Sequence, residues 1–308
     1  MTTNAIPSSH IYSTYFAPRG RSRIYTLGMQ IAQLYLSPFD QIIGFIGEAG
    51  SGKSVLIKGM FPGIELTNDD DGVNVRPLPL LEQEYETGFF TPHTYHLDIR
   101  FETGFHQLSE LADAVRLAVR RGKRIIIEHF DLIYPLLGVN ANLLIGVGEQ
   151  IVITRPNLFG PLPQELCDIV YPSLAYRLMA HSAEDLCEYA MTQEQMLACS
   201  HGDIRHGFVL EFNEHQPDID IPTLEARVNE LIRQDLPIDY YDESHILLGG
   251  AQHYCTGPRT HVRSTGRIIG FRLLDHFIYD HFHKTYMLVG CVGDDSEENI
   301  RKLETIHG

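Results

Sequence analysis

The chain has no CxxC pair, no uninterrupted apolar stretch near 18 residues, no visible repeat and no low-complexity tract. Its five cysteines, at 167, 187, 199, 255 and 291, are odd in number and scattered, which suits a reducing compartment better than a disulfide framework. Basic residues are few: 24 Lys and Arg stand against 40 Asp and Glu, a formal charge of -16, so a surface that coats polyanions generically is excluded. Any nucleic-acid contact would need a local basic patch. The first residues, MTTNAIPSSHIYSTYFAPRGR, lack the apolar core of a signal peptide, and a cytoplasmic chain without membrane segments is expected. What is present is ordinary globular composition, 44% hydrophobic and 21% charged, over 308 residues, enough for two domains.

The first half is organised around residues 41 to 63, QIIGFIGEAGSGKSVLIKGMFPG. An apolar run of strand length meets three glycines, and Lys53-Ser54 opens a helix-like segment. The loop Gly47-Glu48-Ala49-Gly50-Ser51-Gly52-Lys53-Ser54 matches GxxxxGK[ST]. Glycines let successive N–H groups turn toward phosphates, the helix N-terminus adds its positive end, Lys53 reaches the outer phosphates and the Ser54 hydroxyl completes a Mg²⁺ shell. ATP and Mg²⁺ are therefore the expected cofactors.

Around this loop, residues 21 to 36 have helical spacing, with Arg19, Arg21 and Arg23 as a small basic cluster ahead of the first strand. A strand is expected over 93–101, an amphipathic helix over 107–121 and a buried strand at 124–128, with more strand material at 142–145 and 150–154. Glu128, with Asp131 as second choice, ends its strand where an acid holds the water shell of Mg²⁺. Arg155, at another strand end, is a candidate sensor of the γ-phosphate. Asn68-Asp69-Asp70-Asp71-Gly72 reads either as a turn or as the acid that activates an acceptor hydroxyl, with Asp69 and Asp70 as the candidates. No arginine-rich lid helix is visible. Strands alternating with helices indicate an α/β domain on a mostly parallel sheet, spanning 1–165, with the turn-rich LFGPLPQEL (158–166) as its boundary. These elements resemble those of uridine-kinase-like P-loop enzymes, in which the strand after the first helix commonly ends in an acid.

The second half, 166–308, changes character. HSAEDL from His181, LEARVNELIRQDLPI from Leu224 and CTGPRTHVRSTGRIIGFRLL from Cys255 resemble, in order, three elements of the second additional domain of threonyl- and alanyl-tRNA synthetases. The resemblance covers about residues 179 to 290 and implies an α+β editing-like domain. It also implies zinc ligands, which by position are His181, Asp185, Cys255 and His261. Two features depart from the family: an aspartate stands where a second histidine is usual, and Arg259-Thr260 widens C-x₃-H to C-x₅-H, so that His253 is a candidate substitute. A P-loop domain followed by such a segment is the whole-chain arrangement this sequence most resembles.

Three functions follow as expectations. The first is a Mg²⁺-dependent kinase acting on a nucleoside or related hydroxyl compound, with Lys53 stabilising the transferring phosphoryl group, Ser54 and Glu128 holding Mg²⁺, and Asp69 or Asp70 activating the acceptor. The second is nucleotide-gated, metal-assisted deacylation of mischarged tRNA, which needs Arg259, Arg263, Arg267 and Arg272 on one face. The third is a nucleotide-sensing regulatory protein that binds a protein partner.

Overall fold

The computed structural model describes residues 12–64, 66, 94–156, 158–213 and 215–307. Asp69 and Asp70 lie outside them. The chain divides into two compact units, Met1–Tyr15 with Ile24–Tyr171, and Phe16–Arg23 with Pro172–Gly308. The division falls later than the turn-rich segment suggested. Residues 163–190 form one helix, because the prolines at 161 and 163 end the loop and then serve as a helix start, while Pro172 is carried inside. The eight residues from Phe16 belong with the second unit, which no local sequence signal announces.

In the first unit, β1 (Tyr12–Phe16), β2 (Ile42–Ile46), β3 (Thr94–Asp98), β4 (Arg124–Glu128), β5 (Leu143–Val147) and β6 (Gln150–Thr154) form one sheet in the order β1-β6-β5-β2-β4-β3. β2, β3, β4 and β5 run parallel, and β2 is flanked by β4 and β5. β2, β4 and β5 are dominated by Ile, Leu and Val, as strands covered on both faces require, whereas β3 carries His96 and Asp98. β6 departs from the parallel expectation. Only Gly148 and Glu149 separate it from β5, too few for a crossover, so the two form an antiparallel hairpin.

Among the described residues, helices α1 (Arg21–Tyr35), α2 (Lys53–Met60), α3 (Ile99–Glu102), α4 (Leu108–Arg120) and α5 (Phe130–Leu137) belong to the same unit. The apolar face of α4 (Leu111, Ala112, Val115, Ala118) joins Ile125, Ile127, Phe130 and Ile133 in the core. α1 and α2 cross at glycines: a Cβ on Gly28 would lie 2.5 Å from Leu56 O, and one on Gly59 would lie 2.2 Å from Tyr25 O.

The second unit contains most of α6 (Pro163–Ala190), then α7 (Gln193–Ala198), α8 (Ile221–Arg233) and α9 (Ser296–His307). β7 (Cys199–Ile204), β8 (Gly207–Asn213), β12 (Arg272–Leu273), β13 (Ile278–Asp280) and β14 (Thr285–Cys291) make one antiparallel sheet. β9 (Ile238–Asp242), β10 (His245–Leu248) and β11 (Ala251–Tyr254) make a second. A separate core of Ala183, Leu186, Phe208, Leu210, Leu224, Val228, Ile246 and Leu288 holds it. Among the described residues no helix is long and apolar enough to cross a membrane.

Candidate functional site

Two groups of buried polar residues stand out, one in each unit. In the first unit the loop Gly47–Ser54 leaves the C-terminal end of β2, and the chain re-enters a helix at Lys53. Its backbone needs glycine: φ is 155° at Gly47, 79° at Gly50 and 92° at Gly52, and a Cβ at Gly47 would also strike Val147 O at 2.5 Å. The Lys53 ammonium is buried and donates to Gly47 O and Glu48 O, both at 2.9 Å. Burial lowers its pKa, although Glu128 and Asp98 oppose the shift.

Glu128 ends β4, next to the loop strand, and lies 3.4 Å from Ser54 Oγ and 3.7 Å from Lys53 Nζ. His96 on β3 reaches the same carboxylate at 3.0 Å. Burial alone would raise the pKa of Glu128; the bond from His96 and the nearby Lys53 ammonium reverse that and hold the carboxyl ionised. The hydroxyl of Ser54 and the carboxylate of Glu128 are oxygen donors of the kind a hard divalent cation takes, so Mg²⁺ suits this pair. His129 follows in the left-handed region at φ 57°, and burial together with Lys53 and Arg100 lowers its pKa to about 4, which keeps it neutral. Asp131, the second choice for the acid, sits in the first turn of α5 and accepts from Tyr171 Oη at 3.4 Å.

The structure adds residues that the sequence reading did not single out. Asp98 ends β3 in register with Glu128 and is buried, and its carboxylate accepts from Phe101 N at 3.1 Å. Arg100, two residues later, pairs with Glu48 of the loop at 2.9 Å. A signal existed in HTYHLDIR, a strand that closes on an acid followed by a cation. Arg155, by contrast, is corrected. Because β6 is antiparallel, its C-terminal end lies at the start of β2, away from the loop. There Arg155 pairs with Asp40 at 2.7 and 2.8 Å and donates to Asn142 O at 3.2 Å.

Glu102 is nearly inaccessible, and burial, then the charge of Asp98, raises its pKa to about 7. Between an unfolded value near 4.5 and about 7, the folded chain holds a proton that the unfolded chain has lost. Stability from this group is therefore complete below about 4.5 and declines as pH rises to about 7. Glu102→Gln is expected to raise stability by about 1–2 kcal/mol at pH 8 and to leave it unchanged at pH 4. Urea unfolding at the two pH values checks this; equal effects at both would remove the ionisation argument.

In the second unit, α6 presents His181, Glu184, Asp185 and Glu188 on one buried face, spaced three and four apart. Asp185, Cys255 and His261 lie together, their ligand atoms within 4.8 Å of one another. His181 does not join them; its Nε2 is 3.8 Å from Asp203 Oδ1, and burial lowers its pKa to about 3. The cation among the converging groups is Arg19. Its guanidinium, 1% exposed, pairs with Glu184 and Asp185 and donates to Cys255 Sγ at 3.1 Å. Burial opposes the charge, but Glu184, then Cys255 and Glu188, more than restore it. His261 Nε2 is hydrogen-bonded to Asp185 Oδ2 at 2.6 Å, and burial beside Arg19 lowers its pKa to about 3. A zinc ion does not fit this arrangement. The guanidinium already takes up Asp185 Oδ1 and Cys255 Sγ, two of the atoms an ion would need. His253, the candidate substitute, lies elsewhere, with Nε2 4.0 Å from Glu188 Oε2.

No family model matches the chain, and no curated protein matches it. Among solved structures, one titled "The structure of MppP soaked with the product 2-ketoarginine" is 10% identical and covers 97% of this chain and 83% of that one, with a TM-score of 0.25, a level that carries no argument about fold or chemistry.

Proposed function

We propose that the chain is a Mg²⁺-dependent, ATP-binding P-loop enzyme that transfers the γ-phosphoryl group to a hydroxyl acceptor of the nucleoside class. The supporting observation is the convergence of Lys53, Ser54 and Glu128 at the end of two adjacent parallel strands. Strand order supports the same reading: the acid-bearing β4 lies directly beside the loop strand, and β3 lies beyond it.

In this reading the loop N–H groups and Lys53 hold the outer phosphates, and Lys53 stabilises charge on the transferring group. Ser54 and Glu128 hold Mg²⁺, which neutralises charge on the β- and γ-oxygens. His96 orients the Glu128 carboxylate by its 3.0 Å bond. Arg100, rather than Arg155, is the arginine beside the loop, and reaching the phosphates requires it to leave Glu48. Asp98, closing the strand next to Glu128, occupies the position of an acid that accepts the acceptor's proton, the part first assigned to Asp69 or Asp70.

Deacylation of tRNA is less well supported. Arg19 holds the position a zinc ion would need, Arg259 faces Glu243 at 3.6 Å, and Arg272 pairs with Glu225 and Glu297 at 3.2 and 3.4 Å. Nothing observed favours the regulatory reading specifically. The test is ATP turnover with and without a panel of nucleosides. A nucleoside is expected to accelerate it, and Asp98→Asn is expected to remove the acceleration by about 10²-fold or more while ATP binding persists. Acceleration by no nucleoside would leave hydrolysis as the activity.

A further inference from the structure

One turn along α6 from the site filled by Arg19 lies a second group that no part of the phosphoryl-transfer reading uses. Glu188 is buried, and its carboxylate meets three side chains from two strands. His201 Nε2 pairs with Glu188 Oε1, Cys199 Sγ is 4.0 Å from the same oxygen, and His253 Nε2 is 4.0 Å from Glu188 Oε2. Cys199 and His201 are two apart on β7 and so share a face, while His253 comes from β11. The His253 ring is 8% exposed, and its Nε2 has no hydrogen-bond partner although it is aimed at the carboxylate. A buried nitrogen left unpaired costs about 1–3 kcal/mol, so the arrangement asks for a further group at its centre.

We infer that Glu188, Cys199 and His201, whose ligand atoms lie within 4.8 Å of one another, form a site for a divalent transition metal of the Zn²⁺ class, with His253 beside it on the other oxygen of Glu188. One carboxylate oxygen, one thiolate and one imidazole nitrogen are three of the four ligands of a tetrahedral set. With bonds of about 2.0–2.3 Å, the edges of such a tetrahedron are about 3.3–3.8 Å, so an ion draws Cys199 in from 4.0 Å and takes the place of the proton between His201 and Glu188, which move apart. The mixture of sulfur and imidazole selects zinc over magnesium or calcium. Charge also favours it: Arg19 pairs directly with Glu184 and Asp185, whereas the direct partners of Glu188 are a histidine and a thiol. On binding, the Zn–S bond forms as the Cys199 thiol releases its proton to solvent, and His201 binds neutral through Nε2. Three protein ligands tie α6 to β7 and leave a fourth position for a water or for His253.

The test uses the full chain, purified without chelators, dialysed and analysed for metal, then stripped and titrated with Co²⁺. About one zinc per chain and a thiolate-to-Co(II) charge-transfer band are expected. Cys199→Ser should abolish the band, and His201→Gln should weaken Co²⁺ binding by about tenfold or more. Cys255→Ser should leave the band in place. A band lost in Cys255→Ser but kept in Cys199→Ser would move the metal to Asp185 and His261 and overturn the assignment. Absence of both zinc and band in the folded wild-type chain would overturn it as well, without depending on how any variant folds.

Discussion

Lys53→Ala is expected to lower ATP turnover by about 10²–10³-fold and to weaken ATP binding, while Glu128→Gln loses turnover to a similar degree and keeps most of its affinity for nucleotide. The two differ because they act on different charges. The ammonium of Lys53 is the buried cation of the loop; it lies 3.7 Å from Glu128 and donates to Gly47 O and Glu48 O, neutral carbonyls that it can leave for phosphate oxygens. Removing it leaves the loop amides as the main attraction for the outer phosphates. Glu128 is held ionised by His96 and Lys53, and it faces Ser54 across 3.4 Å. Its amide form keeps the volume but weakens the hold on a divalent cation, which costs more in the transition state than in the bound state. Steady-state turnover with calorimetric titration of ATP in the presence and absence of Mg²⁺ checks both. Unchanged ATP affinity in Lys53→Ala would overturn the phosphate-binding assignment of the loop.

Arg19→Met should destabilise the second unit by about 3–5 kcal/mol. The side chain is 1% exposed, and its partners are as buried to within a few per cent, so removing the guanidinium leaves Glu184 buried without its cation and Asp185 with only the His261 imidazole. Arg19→Lys should recover only part of the loss. A single ammonium cannot serve Glu184, Asp185 and the Cys255 thiol from one planar fork. In Arg19→Met the cluster of Asp185, Cys255 and His261 lacks its cation, so added Zn²⁺ should raise the melting temperature of the variant more than that of the wild type. Urea unfolding followed with and without Zn²⁺ measures both effects. A loss below about 1 kcal/mol would show that the acids are protonated rather than paired.

Much of the first site was legible because its chemistry is local. Eight consecutive residues carry the loop, and both the glycine requirement and the flanking strand and helix follow from short-range backbone geometry. Glu128 was legible for a related reason: a fully apolar strand that ends in an acid marks the C-terminal edge of a buried sheet. Arg155 misled because the same pattern was taken to imply the same edge. Strand direction depends on connection length, and two residues between β5 and β6 turn the chain back. Asp98 lay in plain view at a strand end, but it becomes relevant only once β3 is known to pair with β4, a contact between residues 30 positions apart in the sequence.

The sequence by itself determined the loop, the alternation of strand and helix, and the family of residues that meet on α6, since all of these depend on neighbours within about one helical turn or one strand. The tertiary structure alone decided which charges meet. It brought Arg19 from the beginning of the chain to Glu184, Asp185 and Cys255, across sequence separations of 165, 166 and 236 residues. It also put His181 against Asp203 and His253 against Glu188. The reason is physical: a buried carboxylate must find a cation or a proton, but it carries no preference for where in the sequence that partner lies.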